Sequence, residues 1–238
     1  MQRPMFVRVA AAVLVAGLAA AGCKSSSEPE SASPPAASAP APGPATRPAT
    51  AAEPRIVFLG DSLTAGLGLP KSQAFPSVID EKLQAEGIVA EVVNAGISGD
   101  TAAGGRRRLN WALEGDVRVL VLALGANDGL RGNSVRAMKA DLQAIIRAAK
   151  ARGITVLLLG MEAPPNFGPE YTREFRQAFR DVADEEDVAF VPFFLDGVAG
   201  VPALNQSDGL HPNAEGSERV ADLVWDALEP IVESRLSK

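Results

Sequence analysis

The chain has 238 residues, of which 47% are apolar and 22% are charged, and its formal net charge is −6. This composition is that of a globular protein and excludes a wholly disordered, collagen-like or coiled-coil chain, while the acidic balance argues against a nucleic-acid partner. The single cysteine excludes an internal disulfide and a cysteine-rich zinc site, and the single histidine leaves one imidazole for any general base near neutral pH.

Residues 1–22 have the pattern of a signal peptide. Two arginines precede residues 9–21, which carry no charge, and this run is shorter than the ~20 apolar residues of a membrane-spanning helix. The run ends in the sequence AAGC, which resembles a bacterial lipobox except that Ala20 stands where leucine is usual. We therefore expect Cys23 to be lipidated on sulfur and to become the new N-terminus. The alternative is an ordinary secretory signal in which the cysteine is accidental.

Residues 23–54 are expected to form a disordered tether behind the lipidated cysteine. They hold eight of the 18 prolines, many alanines and serines, and no aromatic or large aliphatic side chain, so they cannot bury a core. Cys23 is followed by lysine rather than by the aspartate that favours inner-membrane retention in enterobacterial lipoproteins. This resemblance implies an outer-membrane anchor in the bacterial cell envelope, with residues 55–238 as one domain on the periplasmic or extracellular side.

Apolar segments in residues 55–238 predict β-strands, and the helical periodicity between them predicts α-helices. The predicted strands are residues 56–59, 90–94, 117–124, 154–159 and 189–194, and the predicted helices are residues 74–86, 134–152, 171–185 and 215–236. This alternation favours an α/β fold, a three-layer α/β/α sandwich around a five-stranded parallel sheet. Pro192 places the last strand at an edge or marks its end. Ligands of such sheets bind at the carboxyl ends of the strands.

Polar or glycine-rich segments follow three of the predicted strands. Ser62 comes directly after the first strand, in the tetrapeptide GDSL, where it can present its hydroxyl at the sheet edge or cap a helix. Gly99 lies in a loop after the second strand, which can aim backbone N–H groups into a cleft or form a tight turn. Asn127 follows the third strand, where its amide can donate to a ligand or occupy a turn.

The only histidine, His211, follows the last strand in a loop rich in glycine and proline. Asp208 precedes it by three residues and can fold back to hold one imidazole nitrogen, which favours a functional histidine over a surface or core one. Ser62, His211 and Asp208 thus supply the nucleophile, base and orienting carboxylate of a Ser-His-Asp triad. The G-x-S-x-G motif of α/β-hydrolases is absent from the sequence, and no clustered acidic motif suggests a metal.

The four blocks GDSLTAG, NAGISGDT, LGANDGLRG and DGLHPN resemble the SGNH, or GDSL, hydrolase superfamily. The longer strings resemble in particular the bacterial arylesterase, acyl-CoA thioesterase I and lysophospholipase L1 group. The resemblance implies a flavodoxin-like fold with Ser62 as nucleophile, His211 as general base and Asp208 as the residue that orients the histidine. It also implies an oxyanion hole formed by the backbone N–H groups of Ser62 and Gly99 and the side-chain amide of Asn127, with no cofactor or metal.

Two further acids of these blocks, Asp61 and Asp128, are interpreted as structural residues that hold the loops. The base must be neutral to accept the proton of Ser62, so the rate should rise with pH. An ordinary carboxylate titrates well below neutrality. We therefore expect the acidic limb of the pH–rate profile to report His211, unless a carboxylate is strongly perturbed.

By the same resemblance, the expected substrates are acyl esters, thioesters or lysophospholipids, and the enzyme is expected to be monomeric. Residues 65–71, 128–134 and 161–171 should line the acyl groove, and Asn166-Phe167-Gly168 resembles a loop that touches the acyl chain. The apolar side chains of these loops are Leu67, Leu69, Leu130 and Phe167. A carbohydrate O-deacetylase, which needs a short polar pocket, and a non-catalytic envelope lipoprotein, which would tolerate loss of the serine, histidine or asparagine, are the alternatives.

Overall fold

The computed structural model describes residues 53–236, so the predicted signal peptide, Cys23 and nearly all of the predicted tether lie outside the described residues. Parallel strands form one five-stranded sheet in the order β2-β1-β3-β4-β5. The strands are β1 (Arg55–Gly60), β2 (Glu91–Gly96), β3 (Val117–Ala123), β4 (Thr155–Leu159) and β5 (Ala189–Val191).

Two neighbouring interior strands, β1 and β3, lie in the core. Residues 56–60 of β1 and 119–123 of β3 are all buried, because helices cover both faces of the sheet. At their carboxyl ends, Gly60 of β1 pairs with Gly96 of β2 on one side and with Ala123 of β3 on the other. These paired ends fix the starting points of the loops that follow.

Helices connect successive strands and form the outer layers. In the described part of the chain they are α1 (Ser62–Ala65), α2 (Phe75–Ala85), α3 (Ala102–Ala112), α4 (Ala126–Leu130), α5 (Val135–Lys150), α6 (Pro169–Glu186) and α7 (Ala214–Leu236). Short 3₁₀ turns occur at Lys71–Gln73, Pro165–Phe167 and Pro202–Leu204. Helices α2 and α7 pack together on one side of the sheet, and α5 packs against α3 and α6 on the other. The predicted three-layer α/β/α sandwich with a five-stranded parallel sheet is confirmed.

Four elements differ from the sequence prediction: the fifth strand is shorter, and helices α1, α3 and α4 were not predicted. The fifth strand ends at Val191 rather than at residue 194, because Pro192 cannot donate to the ladder; the strand lies at the sheet edge, as Pro192 indicated. Helix α3 was not predicted, because its first turn contains Gly104 and Gly105, which disfavour helix. Both glycines serve close packing: a Cβ on Gly105 would lie 2.1 Å from Leu124 Cδ1.

The strand order changes direction between β1 and β3. The chain leaves β1 towards β2 on one side, whereas β3 begins on the other side of β1, so the loops after these two strands diverge and leave a crevice. Ser62 follows β1 and Asn127 follows β3, which places both residues at this crevice.

Within residues 53–236, no helix combines the length and the apolar character needed to cross a membrane.

Candidate active site

Ser62 is the first residue of helix α1, two positions after the end of β1. The turn between them has no room for a side chain at Gly60, where a Cβ would lie 1.9 Å from Thr64 Oγ1 and 2.9 Å from the carbonyl oxygen of Ala123. The side chain of Asp61 caps the helix by accepting a hydrogen bond from the backbone N–H of Leu63 at 3.0 Å. This turn presents Ser62 at the carboxyl edge of the sheet, with a backbone N–H that has no partner within the helix.

Asp208 shapes the turn that carries His211. Its Oδ1 accepts hydrogen bonds from the backbone N–H groups of Leu210 at 2.9 Å and of His211 at 3.0 Å, and its Oδ2 lies 2.6 Å from His211 Nδ1. The backbone N–H of His211, its imidazole and the N–H of Leu210 hold the pKa of the Asp208 carboxyl at about 2, below its ordinary 3.8. The carboxylate is therefore ionised at neutral pH and can hold a proton on Nδ1.

The other imidazole nitrogen faces the serine. His211 Nε2 lies 2.9 Å from Ser62 Oγ, although 149 positions separate the two residues in the chain. The structure thus brings Asp208, His211 and Ser62 into one hydrogen-bonded row. With its Nδ1 protonated, the imidazole presents a lone pair on Nε2 to the serine hydroxyl, which is the arrangement a general base requires.

Asn127 lies in helix α4, which follows β3, and contacts the residue before the serine. Its Nδ2 donates a hydrogen bond at 3.2 Å to Oδ2 of Asp61, the residue next to Ser62. An amide nitrogen carries two hydrogens, so one N–H is fixed by Asp61 and the other is available to a ligand. Gly125, just before the helix, has φ +118, and a Cβ there would lie 2.7 Å from Phe179 Cζ, so only glycine fits the turn.

Gly99 occupies a tight turn after β2, with φ +80. The turn is closed by a hydrogen bond from the N–H of Asp100 to the carbonyl oxygen of Ile97 at 3.1 Å, and the N–H of Ile97 donates to the carbonyl oxygen of Gly60 at 3.1 Å. The turn is therefore fastened to the end of β1, close to Ser62. Arg131 also donates to the Gly99 carbonyl oxygen, at 2.9 Å.

The two acids interpreted as structural do hold the loops. Asp61 is 1% exposed, and burial raises its pKa from 3.8 to about 6 against the opposing effects of its hydrogen bonds to Leu63 and Asn127 and of the nearby His211. Asp128 is also buried and accepts a hydrogen bond from the N–H of Ala102 at 2.9 Å, at the start of α3. Asp61 is therefore a carboxylate whose titration is strongly shifted by burial.

Sequence reasoning missed one residue that contacts this region, Arg108 of α3. Its Nε lies 2.7 Å from Asp100 Oδ2, its Nη1 donates to the carbonyl oxygen of Ala95 at 2.7 Å, and its Nη2 donates to that of Gly60 at 2.8 Å. The sequence offers only three consecutive arginines at residues 106–108, and nothing in that run shows which of them turns inward.

Exposed apolar side chains lie on all five connections that follow the strands, and Ser62 lies on the first of these connections. They are Leu67, Ile97, Leu130, Phe167 and Leu210, each between 42% and 54% exposed. Three of them belong to the loops predicted to line an acyl groove. Phe167 lies against the loop after β3, because a Cβ on Gly132 would be 2.6 Å from its ring. We call these five side chains the apolar rim.

Comparison with known proteins identifies relatives over the described domain. Residues 58–219 match the model of the GDSL-like Lipase/Acylhydrolase family. Esterase TesA of Pseudomonas aeruginosa is 43% identical over 183 residues, 76% of this chain and 91% of that protein. Thioesterase 1/protease 1/lysophospholipase L1 of Escherichia coli is 37% identical over 76% of this chain and 86% of its own length.

Solved structures agree with this assignment. The crystal structure of TesA superposes with a TM-score of 0.72 at 43% identity and covers 75% of this chain and 99% of its own. AlinE4, an SGNH-hydrolase family esterase, gives a TM-score of 0.64 at 37% identity over 79% of this chain. Fold, family match and identity over nearly the whole length of these relatives lead to one conclusion: the chain belongs to the GDSL-like lipase/acylhydrolase family and is an enzyme that hydrolyses ester bonds.

Proposed function

We propose that the chain is a serine esterase in which Ser62 is the nucleophile, His211 the general base and acid, and Asp208 the residue that orients the imidazole. The observation that carries this proposal is the row of contacts from Asp208 Oδ2 to His211 Nδ1 at 2.6 Å and from His211 Nε2 to Ser62 Oγ at 2.9 Å. These distances are the ones that orientation of the imidazole by the carboxylate and proton transfer from the serine to the imidazole require.

The reaction proceeds in two steps through an acyl-enzyme. Ser62 Oγ attacks the acyl carbon while its proton passes to His211 Nε2, and the bond to the leaving alcohol or thiol then breaks as Nε2 returns that proton to the leaving group. Water attacks the acyl-enzyme, gives one proton to Nε2, and the carboxylic acid departs as Ser62 recovers its proton. Asp208 remains ionised throughout and stabilises the transient imidazolium.

Three donors would stabilise the negative oxygen of each tetrahedral intermediate. They are the backbone N–H groups of Ser62 and Gly99 and the free N–H of the Asn127 amide. Because they are held before the substrate arrives, they need no reorganisation as charge develops on the oxygen. The contacts of Asn127 with Asp61 and of the Gly99 turn with Gly60 support this assignment.

The apolar rim supports an acyl ester, thioester or lysophospholipid as the substrate. Five exposed apolar side chains on the connections that follow the strands suit an acyl chain better than the sugar of a carbohydrate O-deacetylase, which needs polar partners. The names of the two relatives, an esterase and a thioesterase 1/protease 1/lysophospholipase L1, point to the same chemistry. An enzyme held outside the cytosol would not meet acyl-CoA, so esters and lysophospholipids are the natural substrates that we propose.

The decisive experiment replaces Ser62 by alanine. We expect kcat on p-nitrophenyl esters of increasing chain length to fall at least ~10⁴-fold, because no other group can form the acyl-enzyme. A p-nitrophenyl alkylphosphonate should label the wild type at Ser62 and leave the variant unlabelled. Ser234→Ala, which removes an exposed hydroxyl near the C-terminal end of α7, is the matched control and should keep full activity. Undiminished activity in Ser62→Ala would contradict the mechanism.

The domain organisation and location also remain proposals. Residues 1–22 would be a signal peptide, residues 23–54 a tether lipidated at Cys23, and residues 55–238 a monomeric hydrolase domain on the periplasmic or extracellular side of an envelope membrane. Cys23→Ser should release the protein from the membrane fraction or block its processing, whereas Ser25→Ala should not. If Cys23→Ser still fractionates with membranes, the lipoprotein assignment is wrong.

A further inference from the structure

Two of the proposed oxyanion donors lie on different strand connections. Ser62 follows β1 and Gly99 follows β2, and the register of these strands ends where Gly60 pairs with Gly96. Beyond that pair, one backbone hydrogen bond, from Ile97 to Gly60, links the two connections. The relative position of the two N–H donors therefore depends on additional contacts beyond the sheet.

Asn94 of β2 makes one such contact, from its Nδ2 to the carbonyl oxygen of Thr64 in α1 at 2.8 Å, and Arg108 makes three more with separate nitrogens. Nη2 binds the carbonyl oxygen of Gly60, two residues before Ser62, at 2.8 Å. Nε binds the carboxylate of Asp100, the residue directly after Gly99, at 2.7 Å. Nη1 binds the carbonyl oxygen of Ala95, near the end of β2, at 2.7 Å. One planar group thus joins the end of β1, the end of β2 and the turn that carries Gly99.

The Arg108–Asp100 pair is well shielded, since each side chain is 14% exposed. The other carboxylate oxygen of Asp100 lies against the backbone of α3: a Cβ on Gly104 would be 1.6 Å from Oδ1. The glycine in α3 and the arginine one turn later therefore accommodate the same carboxylate. A lysine could not replace this geometry, because an ammonium is a point charge without the rigid fork of a guanidinium.

A second arginine reaches the same turn but holds it differently. Arg131 donates to the Gly99 carbonyl oxygen at 2.9 Å from the side of α4, and it is exposed. It contacts neither β1 nor β2 in the hydrogen bonds of the described residues. Arg108 is the side chain that ties the Gly99 turn to the strand of the nucleophile.

We propose that Arg108 is a positioning residue for the oxyanion hole, which sets the distance between the N–H donors of Ser62 and Gly99. It acts through Gly60 and Asp100 and not by contact with the substrate, and this inference rests on the proposed function of Ser62 and Gly99. If a donor is displaced by a fraction of an ångström, it stabilises the transition state less well, whereas the affinity for the substrate changes little. The effect should therefore appear in kcat rather than in KM.

Arg108→Lys in the full chain tests the proposal, because it keeps the positive charge and removes the fork. The phosphonate is used to count the active sites, and kcat is expressed per active site. We expect this kcat to fall roughly 10–100-fold while KM changes less than about threefold. The rate of inactivation by the phosphonate should fall in parallel, because the phosphonyl oxygen uses the same donors. Arg106→Lys is the matched control: Arg106 lies on the same helix in an exposed pair with Asp141 and should leave both rates unchanged.

A purely structural role for Arg108 would give a different result. In that case Arg108→Lys would lower the melting temperature and leave kcat per titrated site at the wild-type value, which would overturn the proposal. Should Arg108→Lys fail to fold, Asp100→Asn weakens the same tie with little change of shape. A several-fold loss of kcat in that variant supports the proposal, and an unchanged kcat overturns it. If the phosphonate does not label Ser62 in the wild type, the proposed function itself fails.

Discussion

The two sides of Ser62 are built in different ways. On the histidine side, Asp208 and His211 belong to one loop. All the hydrogen-bond partners of the Asp208 carboxylate lie within three residues of it. On the oxyanion side, the proposed donors follow three different strands and are held by contacts between distant segments, such as Asn127 with Asp61. In the proposed site, a local motif therefore supplies the base, whereas the ends of three strands, β1, β2 and β3, together supply the oxyanion hole.

The aspartates on the two sides also differ in their titration. Asp208 has a side chain that is 45% exposed, and hydrogen bonds lower its pKa to about 2. Asp61 is 1% exposed, and burial raises its pKa to about 6. The same side chain is thus stabilised as a carboxylate on one side and as a neutral acid on the other, because hydrogen bonds dominate in the first case and burial in the second.

The largest effect is expected on the histidine side. His211→Ala removes the base, so kcat should fall by ~10⁴–10⁶-fold and leave only the contribution of the oxyanion side. The measurement is kcat/KM against pH, and the double variant with Ser62→Ala should be no slower than either single variant, because the two residues act as one unit. A near-normal rate with an unchanged acidic limb in His211→Ala would show that another group is the base.

Asp208→Asn should cost less than loss of the histidine, roughly 10²–10⁴-fold in kcat. The asparagine oxygen can still accept the N–H groups of Leu210 and His211, but its NH₂ then faces His211 Nδ1 and favours the tautomer that protonates Nε2. Steady-state kinetics measure this loss. The control is Asp196→Asn, which removes the same charge from an exposed acid earlier in the same loop and should leave kcat unchanged. Wild-type activity in Asp208→Asn would remove Asp208 from the mechanism.

On the oxyanion side, Asn127→Ala should lower kcat about 10²–10³-fold, the usual cost of one donor, with little change in KM. Asn110→Ala, an exposed amide near the end of α3, provides the control. A rise in KM alone, with kcat intact, would mean that Asn127 binds the substrate without stabilising the intermediate.

The smallest effect concerns the pH dependence of folding stability through Asp61. Its pKa is higher in the folded state, so its protonated form stabilises the fold fully below pH ~4, and this contribution is lost as the pH rises to about 6. The rise from 3.8 to about 6 corresponds to on the order of 3 kcal/mol. The stability of Asp61→Asn relative to wild type should therefore increase by this amount from pH 4 to 7.

Denaturant titrations of both proteins at several pH values measure this difference, with Asp222→Asn as an exposed control. A difference that stays constant with pH would show that burial does not raise the pKa of Asp61. It would also remove the contrast between the two aspartates.

The parts of the fold that could be predicted depend on local patterns. The apolar runs of β1, β3 and β4 are continuous because these strands are buried on both faces, and the long helices α5 and α6 show one apolar face. Helix α3 could not be predicted in this way, because Gly104 and Gly105 are there for tertiary packing and carry the opposite local preference. The fifth strand was predicted too long because the apolar run continues past Pro192.

The sequence by itself determined the chemistry of this protein. The serine after the first strand and the aspartate three residues before the only histidine are local motifs, and they predict the triad that we propose. Only the tertiary structure decided that Arg108 turns inward to join two strand ends, and that Asp61 is buried deeply enough to titrate near pH 6. Burial and contacts between distant segments exist only once the chain has folded, so no pattern within a short stretch of residues can report them.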